Sequence, residues 1–234
     1  MKNYNKEAII LCIGLIIMGA CIADGLTSAF QSDRIVTVKG LSEREVLADK
    51  VTWPLVYKEL GNEPAEMYNR LATKNRQVID FLKEKGISEN EISESAIQVS
   101  DRQADSYDQN NILYRYKATS VITVTSSQVE LIRKIMQSQS ELMKMGIALI
   151  TEEYGTNTVK YEFTGLNEIK PDMIEESTKN ARATAEKFAK DSDSKLGKIR
   201  KASQGQFSID NRDANTPYIK RIRVVSTIEY YIED

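Results

Sequence analysis

Histidine is absent from this sequence, and the only two cysteines, Cys12 and Cys21, lie inside one apolar run near the N-terminus. From residue 31 onward there is no imidazole, no thiol and no disulfide partner. That excludes a histidine-based hydrolase, a cysteine nucleophile, a Cys/His zinc site and a redox CxxC pair from this region. An excess of either charge is also missing: the net charge is -2, and 30 of the 32 basic and 32 of the 34 acidic residues lie beyond residue 30. A nucleic-acid surface needs a concentrated basic field to release counterions from phosphates, so nucleic acid is not an expected partner. Carboxylates, lysines, tyrosines and hydroxyls are the chemistry that remains.

What the chain does have is "AIILCIGLIIMGACIA" at residues 8–23, uncharged and mostly large apolar, behind Lys2 and Lys6. As a helix these sixteen positions span roughly 24 Å, short of a hydrocarbon core of about 30 Å, and an extension to Phe30 reaches it. The run has no polar face, which argues against a buried soluble helix. Three fates compete. An uncleaved anchor would leave Lys2 and Lys6 cytoplasmic and export everything after Asp24. Cleavage after Ala23 would use Cys21-Ile22-Ala23. Met18-Gly19-Ala20-Cys21 has the form of a lipobox and would make Cys21 a lipoprotein anchor. All three export the rest of the chain. Residues 1–30 therefore read as a membrane anchor or signal segment and 31–234 as one folded domain, placed at the inner membrane as a single-pass protein with its C-terminal domain in the periplasm.

The rest has ordinary globular composition. Residues 34–60 hold two alternating segments. In the second, Val51, Trp53, Leu55 and Tyr57 share a face, and Pro54, which cannot donate to a ladder, predicts an edge or a bulge. The lone Trp53 is expected in the core. Asn62 is expected to cap a helix with Pro64 in its first turn, apolar positions Met67, Leu71, Val78, Phe81 and Leu82, and an end at Gly86. A turn and strand follow over 87–99, then a polar hairpin loop over 101–111. The next strand puts Tyr114, Tyr116, Ala118, Ser120, Ile122 and Val124 on one face, and a helix follows over about 127–139. A strand pattern covers about 147–164. A long helix is expected from Pro171 to about Ser194 with inner face Ile174, Thr178, Ala181, Ala185, Phe188 and Ala189, closed by Gly197. Its small alanines would let it lie close on a sheet. Two strands finish the chain, the last alternating from Ile222 to Ile232. The predicted class is α+β, with largely antiparallel sheets covered by helices in two βαβ-type halves.

Three stretches carry a family resemblance. "RIVTVKGLSEREVLADKV" at 34–51 resembles the first strand, glycine and second strand of SIMPL-domain proteins, the group that includes the YggE-like periplasmic proteins of bacteria. "VIDFLKEKGISENEISESAIQVS" at 78–100 and "ARATAEKFAKDSDSKLGKI" at 181–199 resemble the helix end, Gly-Ile turn and strand, and the alanine-rich helix and Leu-Gly-Lys turn, of the same family. Ala48-Asp49 departs from a frequent Pro-Asp. The resemblance implies an extracytoplasmic α+β protein connected with envelope or oxidative-stress tolerance, ring-like self-assembly, and no catalytic site to carry over.

Candidate chemistry beyond that is sparse. "DRQADSYDQNN" gathers Asp101, Asp105, Asp108, Asn110 and Asn111, but its spacing is not that of an EF-hand, so a solvated loop is expected rather than a cation site. "SIDNRDANTPY" at 208–218 reads the same way. Tyr114, Tyr116, Tyr230 and Tyr231 could line a glycan or peptide groove, though cross-strand packing accounts for them. Lys220, Arg221, Arg223, Arg115 and Lys117 would form a basic patch if the two long strands paired, with neighbouring glutamates neutralising it. No catalytic, cofactor-binding or metal-ligating residue is assigned. The expected function is a non-enzymatic, membrane-tethered envelope scaffold that self-assembles, meeting its copies through the long strands at 112–125 and 218–233 if these lie at sheet edges. The alternative is an envelope ligand-binding module or enzyme with carboxylates or tyrosines in a cleft.

Overall fold

The computed structural model describes residues 5–31, 34–105, 113–150 and 157–233. Its elements are α1 (Asn5–Gln31), β1 (Ile35–Leu47), β2 (Lys50–Gly61), α2 (Pro64–Glu84), β3 (Ile92–Glu94), β4 (Gln98–Asp101), α3 (Arg102–Asp105), β5 (Tyr116–Ser126), α4 (Val129–Gln137), α5 (Ser140–Lys144), β6 (Lys160–Glu162), α6 (Leu166–Asp191), β7 (Lys195–Gln204), β8 (Ser208–Asn211) and β9 (Ile219–Glu233). The fold is α+β, and the chain divides into two compact units. One comprises residues 1–44, 169–208 and 223–234, the other 45–168 and 209–222.

In the unit built on 45–168, the strands lie in the order β3–β5–β2–β6, with β4 also on β5, and all of these pairs are antiparallel. β3 therefore runs parallel to β2 with β5 between them, and β6 parallel to β5 with β2 between them. β2-α2-β3 and β5-α4-α5-β6 are two interleaved split βαβ motifs, the ferredoxin-like arrangement. Alternation dictates which face is inside. Val51, Trp53, Leu55 and Tyr57 of β2 and Ala118, Ile122 and Val124 of β5 are buried, and the α2 stripe Met67, Leu71, Val78, Phe81 and Leu82 packs in the same core. Val56 accepts a hydrogen bond at its carbonyl from Ile150 N (2.7 Å), on the side away from β5. By the two-residue repeat Pro54 faces the same way, so its missing N–H costs no rung with β5.

Helix ends in this unit obey local chemistry. α2 and α5 close on Gly86 (φ 96°) and Gly146 (φ 78°). In each, the next residue reaches back into the last turn: Ile87 N bonds Leu82 O (3.0 Å) and Ile147 N bonds Leu142 O (2.9 Å). Both isoleucines are buried, completing Schellman caps with their apolar contacts. The start of α2 differs from expectation. Glu63 is the N-cap residue and makes no side-chain cap bond. Asn62 instead accepts from Arg115 N (2.9 Å) and donates to Leu113 O (3.5 Å), fastening the entry to β5. Of the strand expected over 147–164, only β6 forms among the described residues.

In the other unit, β9 lies between β1 and β7, and α6 covers one face. Ser177, Ala181, Ala185 and Ala189 are buried at strict four-residue steps behind Met173. Ser177 and Ala181 meet Gly40 at backbone distance: a Cβ built there would lie 1.9 Å from Ser177 O and 2.4 Å from Ala181 N. The close approach read from the alanines is present, but its register is different. Phe188 is 56% exposed, and Thr178 is not among the buried residues. A helix seated this near a strand has room only for small side chains along its contact line. α6 also begins five residues before Pro171. It ends on Asp193 (φ 51°), with Ser194 N bonded to Ala189 O (2.9 Å), so Gly197 lies within β7 rather than closing the helix. Three strands follow α6, not two.

Candidate functional site

The long strands β5 and β9 are both interior, flanked on each side by other strands, which overturns the expectation that they present edges. They also belong to different sheets, so the patch of Arg115 and Lys117 with Lys220, Arg221 and Arg223 does not form by their pairing. Arg115 instead makes a two-nitrogen contact to Asp101 Oδ2 (3.0 and 2.7 Å), and that bond holds the Asp101 carboxyl below its ordinary value. Arg221 pairs with Glu45 (3.5 Å). Lys220 is buried, bonded to Asn211 Oδ1, and burial pushes its pKa down.

The other sequence candidates are used locally. Asp108, Asn110 and Asn111 lie outside the described residues, as does the side chain of Asp105. In the turn at 208–218, Asp213 accepts from Asn215 N (2.9 Å), Thr216 N (2.8 Å), the Thr216 hydroxyl and Arg212 Nε (3.0 Å). The Thr216 and Arg212 bonds push its pKa far down. Tyr230 is buried in the core beneath α6 and Tyr116 packs at the rim of the β2–β5 core, while Tyr114 is 41% exposed. Tyr114 and Tyr116 belong to one unit and Tyr230 and Tyr231 to the other. Among the described residues there is no cluster of three His, Cys, Asp or Glu that could hold a metal.

One polar constellation was not read from the sequence. Asn75, on the buried stripe of α2, accepts at Oδ1 from the Tyr57 hydroxyl and from Ser120 Oγ (2.9 Å), and donates through Nδ2 to Glu94 Oε1. Tyr57, Asn75 and Ser120 are each at most 3% exposed, whereas Glu94 is exposed at the end of β3. Burial pushes the Tyr57 hydroxyl up to about 12, reinforced by the charge of Glu94 and opposed by the Ser120 bond. The network links the core to a shallow cleft of about 500 Å³ lined by Tyr68, Glu94, Ser95, Ala96, Ile97 and Val99. A sequence signal did exist: Asn75 falls four residues after Leu71 on the stripe, and Ser120 sits mid-strand between Ala118 and Ile122.

The N-terminal helix α1 is apolar along most of its length. Its apolar segment Ala8–Leu26 has no residue buried against the rest of the protein, and Cys12 and Cys21 are both exposed on it.

The fold defines a class, an α+β chain with a split βαβ unit and an N-terminal apolar helix. The model of the SIMPL family, described as a protein of unknown function (DUF541), matches residues 36–226. The chain belongs to the SIMPL family. No curated protein matches it.

Proposed function

We propose that this chain is a non-enzymatic, membrane-tethered protein of the cell envelope, held in the inner membrane by α1 with residues 34–233 in the periplasm, and that it self-assembles into a scaffold serving stress tolerance. The observation that carries the tether is the 19-residue apolar length Ala8–Leu26, wholly exposed on α1. At 1.5 Å per residue it spans about 28 Å, close to a hydrocarbon core. Lys2 and Lys6 precede it, which favours a cytoplasmic N-terminus. Assembly is supported by the sheet of the α6 unit, whose outer strands β1 and β7 carry exposed Ile35, Leu41 and Ile199. Anchoring many copies in one bilayer raises their effective concentration and favours such weak contacts. A non-catalytic role is supported by the carboxylates themselves. Asp49 accepts from Thr164 N, the Thr164 hydroxyl and Gly165 N and fastens the chain just before α6.

Intact-mass measurement of the protein from membranes tests the tether. The expected product retains residues 1–30, with its C-terminal region open to protease added outside the spheroplast. A chain starting at Asp24 rejects the anchor, and a diacylglyceryl-modified Cys21 replaces it with a lipoprotein.

A further inference from the structure

We infer that the groove between α2 and the outer strand β3–β4 takes an extended peptide by strand addition, with a lysine or arginine over Glu94 and an apolar side chain over Val99. Three observations converge on this. Among the described residues β3 and β4 pair only with β5, so alternate N–H and C=O groups of Gln98–Asp101 face away from that strand. A helix wall stands beside that edge, because Tyr68 of α2 is 60% exposed and lines the same cleft as Ile97 and Val99, the latter 57% exposed. An edge strand beside a helix is the geometry in which an added strand gains main-chain bonds along the edge and side-chain pockets against the helix.

Glu94 supplies the choice of partner. It lies opposite Ile122 and Val99 opposite Ala118, so both belong to the face that α2 covers. The Glu94 carboxylate is held from behind by Asn75, itself fixed by two buried hydroxyls, and none of the ion pairs among the described residues involves it. A preset carboxylate at the lip of a groove whose other lining, Tyr68, Ser95, Ala96, Ile97 and Val99, carries no charge suits a cation. Spacing follows from the ladder. Glu94 and Val99 are five residues apart in sequence but four apart on β5, because one extra residue is accommodated between β3 and β4, where Ser95 N bonds Val121 O (3.0 Å). The two side chains of the guest are therefore four residues apart, about 13 Å along an extended strand. This inference is independent of the tether and of self-assembly.

The test uses the full-length protein in detergent and a fluorescein-labelled heptapeptide carrying lysine and isoleucine four positions apart among threonines, followed by anisotropy. The peptide is expected to bind, and its glutamate-for-lysine counterpart to bind about tenfold more weakly or worse. Glu94→Gln keeps an oxygen for Asn75 and removes only the charge, so it should erase the difference between the two peptides. N-methylation of alternate peptide nitrogens should abolish binding. No binding, equal binding of the lysine and glutamate peptides, or full binding of the N-methylated peptide would overturn the inference. Binding that occurs only as the protein's own oligomers disperse would assign the groove to a second copy and overturn the choice of occupant.

Discussion

Gly40→Ala is expected to destabilise the α6 unit by about 3 kcal/mol or more, the upper range for overpacking a core. A methyl group at this position meets backbone on α6, with Ser177 O at 1.9 Å and Ala181 N at 2.4 Å, and not the movable end of a side chain. Relief requires the helix to lift from β1. Lifting separates Ala181 and Ala185 from Val38, Ile228 and Tyr230, which form the small core of this unit, and strains the Ser177–Ser226 hydroxyl contact of 2.7 Å. A core of five buried residues has little reserve, so a loss of this size should be visible as a fall in Tm of about 6–12 °C for a chain of this length. Gly19→Ala is the matched control, because nothing lies within 4 Å of a Cβ there. Thermal unfolding of both variants in detergent checks the claim, and an unchanged Tm for Gly40→Ala would show that α6 does not sit on β1 as described.

The second large effect belongs to Asn75. Asn75→Leu keeps the branched shape and the helix but leaves the Tyr57 and Ser120 hydroxyls buried without their acceptor, at a cost of about 3 kcal/mol. Removing the hydroxyl instead, in Tyr57→Phe, leaves Asn75 Oδ1 with Ser120 and should cost about 1 kcal/mol. The pair also has a pH signature. The Tyr57 pKa is raised from 10.0 to about 12 in the folded protein, so its contribution is fully present below pH 10 and is lost as pH rises towards 12. Denaturant unfolding at pH 8 and pH 11 should show a loss in the wild type that Tyr57→Phe reduces. Equal losses in both proteins would mean that Tyr57 does not titrate against this network.

Much of this fold was legible because burial leaves a period. Val51 to Tyr57, Ala118 to Val124 and Ile222 to Tyr230 alternate, and the α2 stripe repeats at helical spacing, since each element buries one face. What periodicity cannot carry is strand order. β5 and β9 look like candidate edges along the chain, yet neighbours far away in sequence enclose both. Asn75 is hidden for a related reason: a polar residue on an apolar stripe reads as solvent-facing until hydroxyls from β2 and β5 are brought to it. Phe188 misled in the opposite direction. Its size suggested the core, but the approach of Gly40 leaves only an alanine-wide line for α6. Gly197 reads as a helix stop because it follows a helix, whereas Asp193 takes the left-handed turn and Gly197 sits where a Cβ would press on Tyr231 O at 3.0 Å.

Self-assembly is the part of the proposed function that a single measurement reaches most directly. Multi-angle light scattering on the segment from residue 31 onward, across about a hundredfold dilution from micromolar concentration, should return a mass larger than a dimer, falling on dilution if the contacts at β1 and β7 are weak. The same segment with Leu41→Lys and Ile199→Lys, both on exposed positions of those strands, should shift towards one chain mass without losing its fold. One chain mass for the unaltered protein at every concentration, in solution and when anchored through α1 in nanodiscs, would contradict the scaffold account.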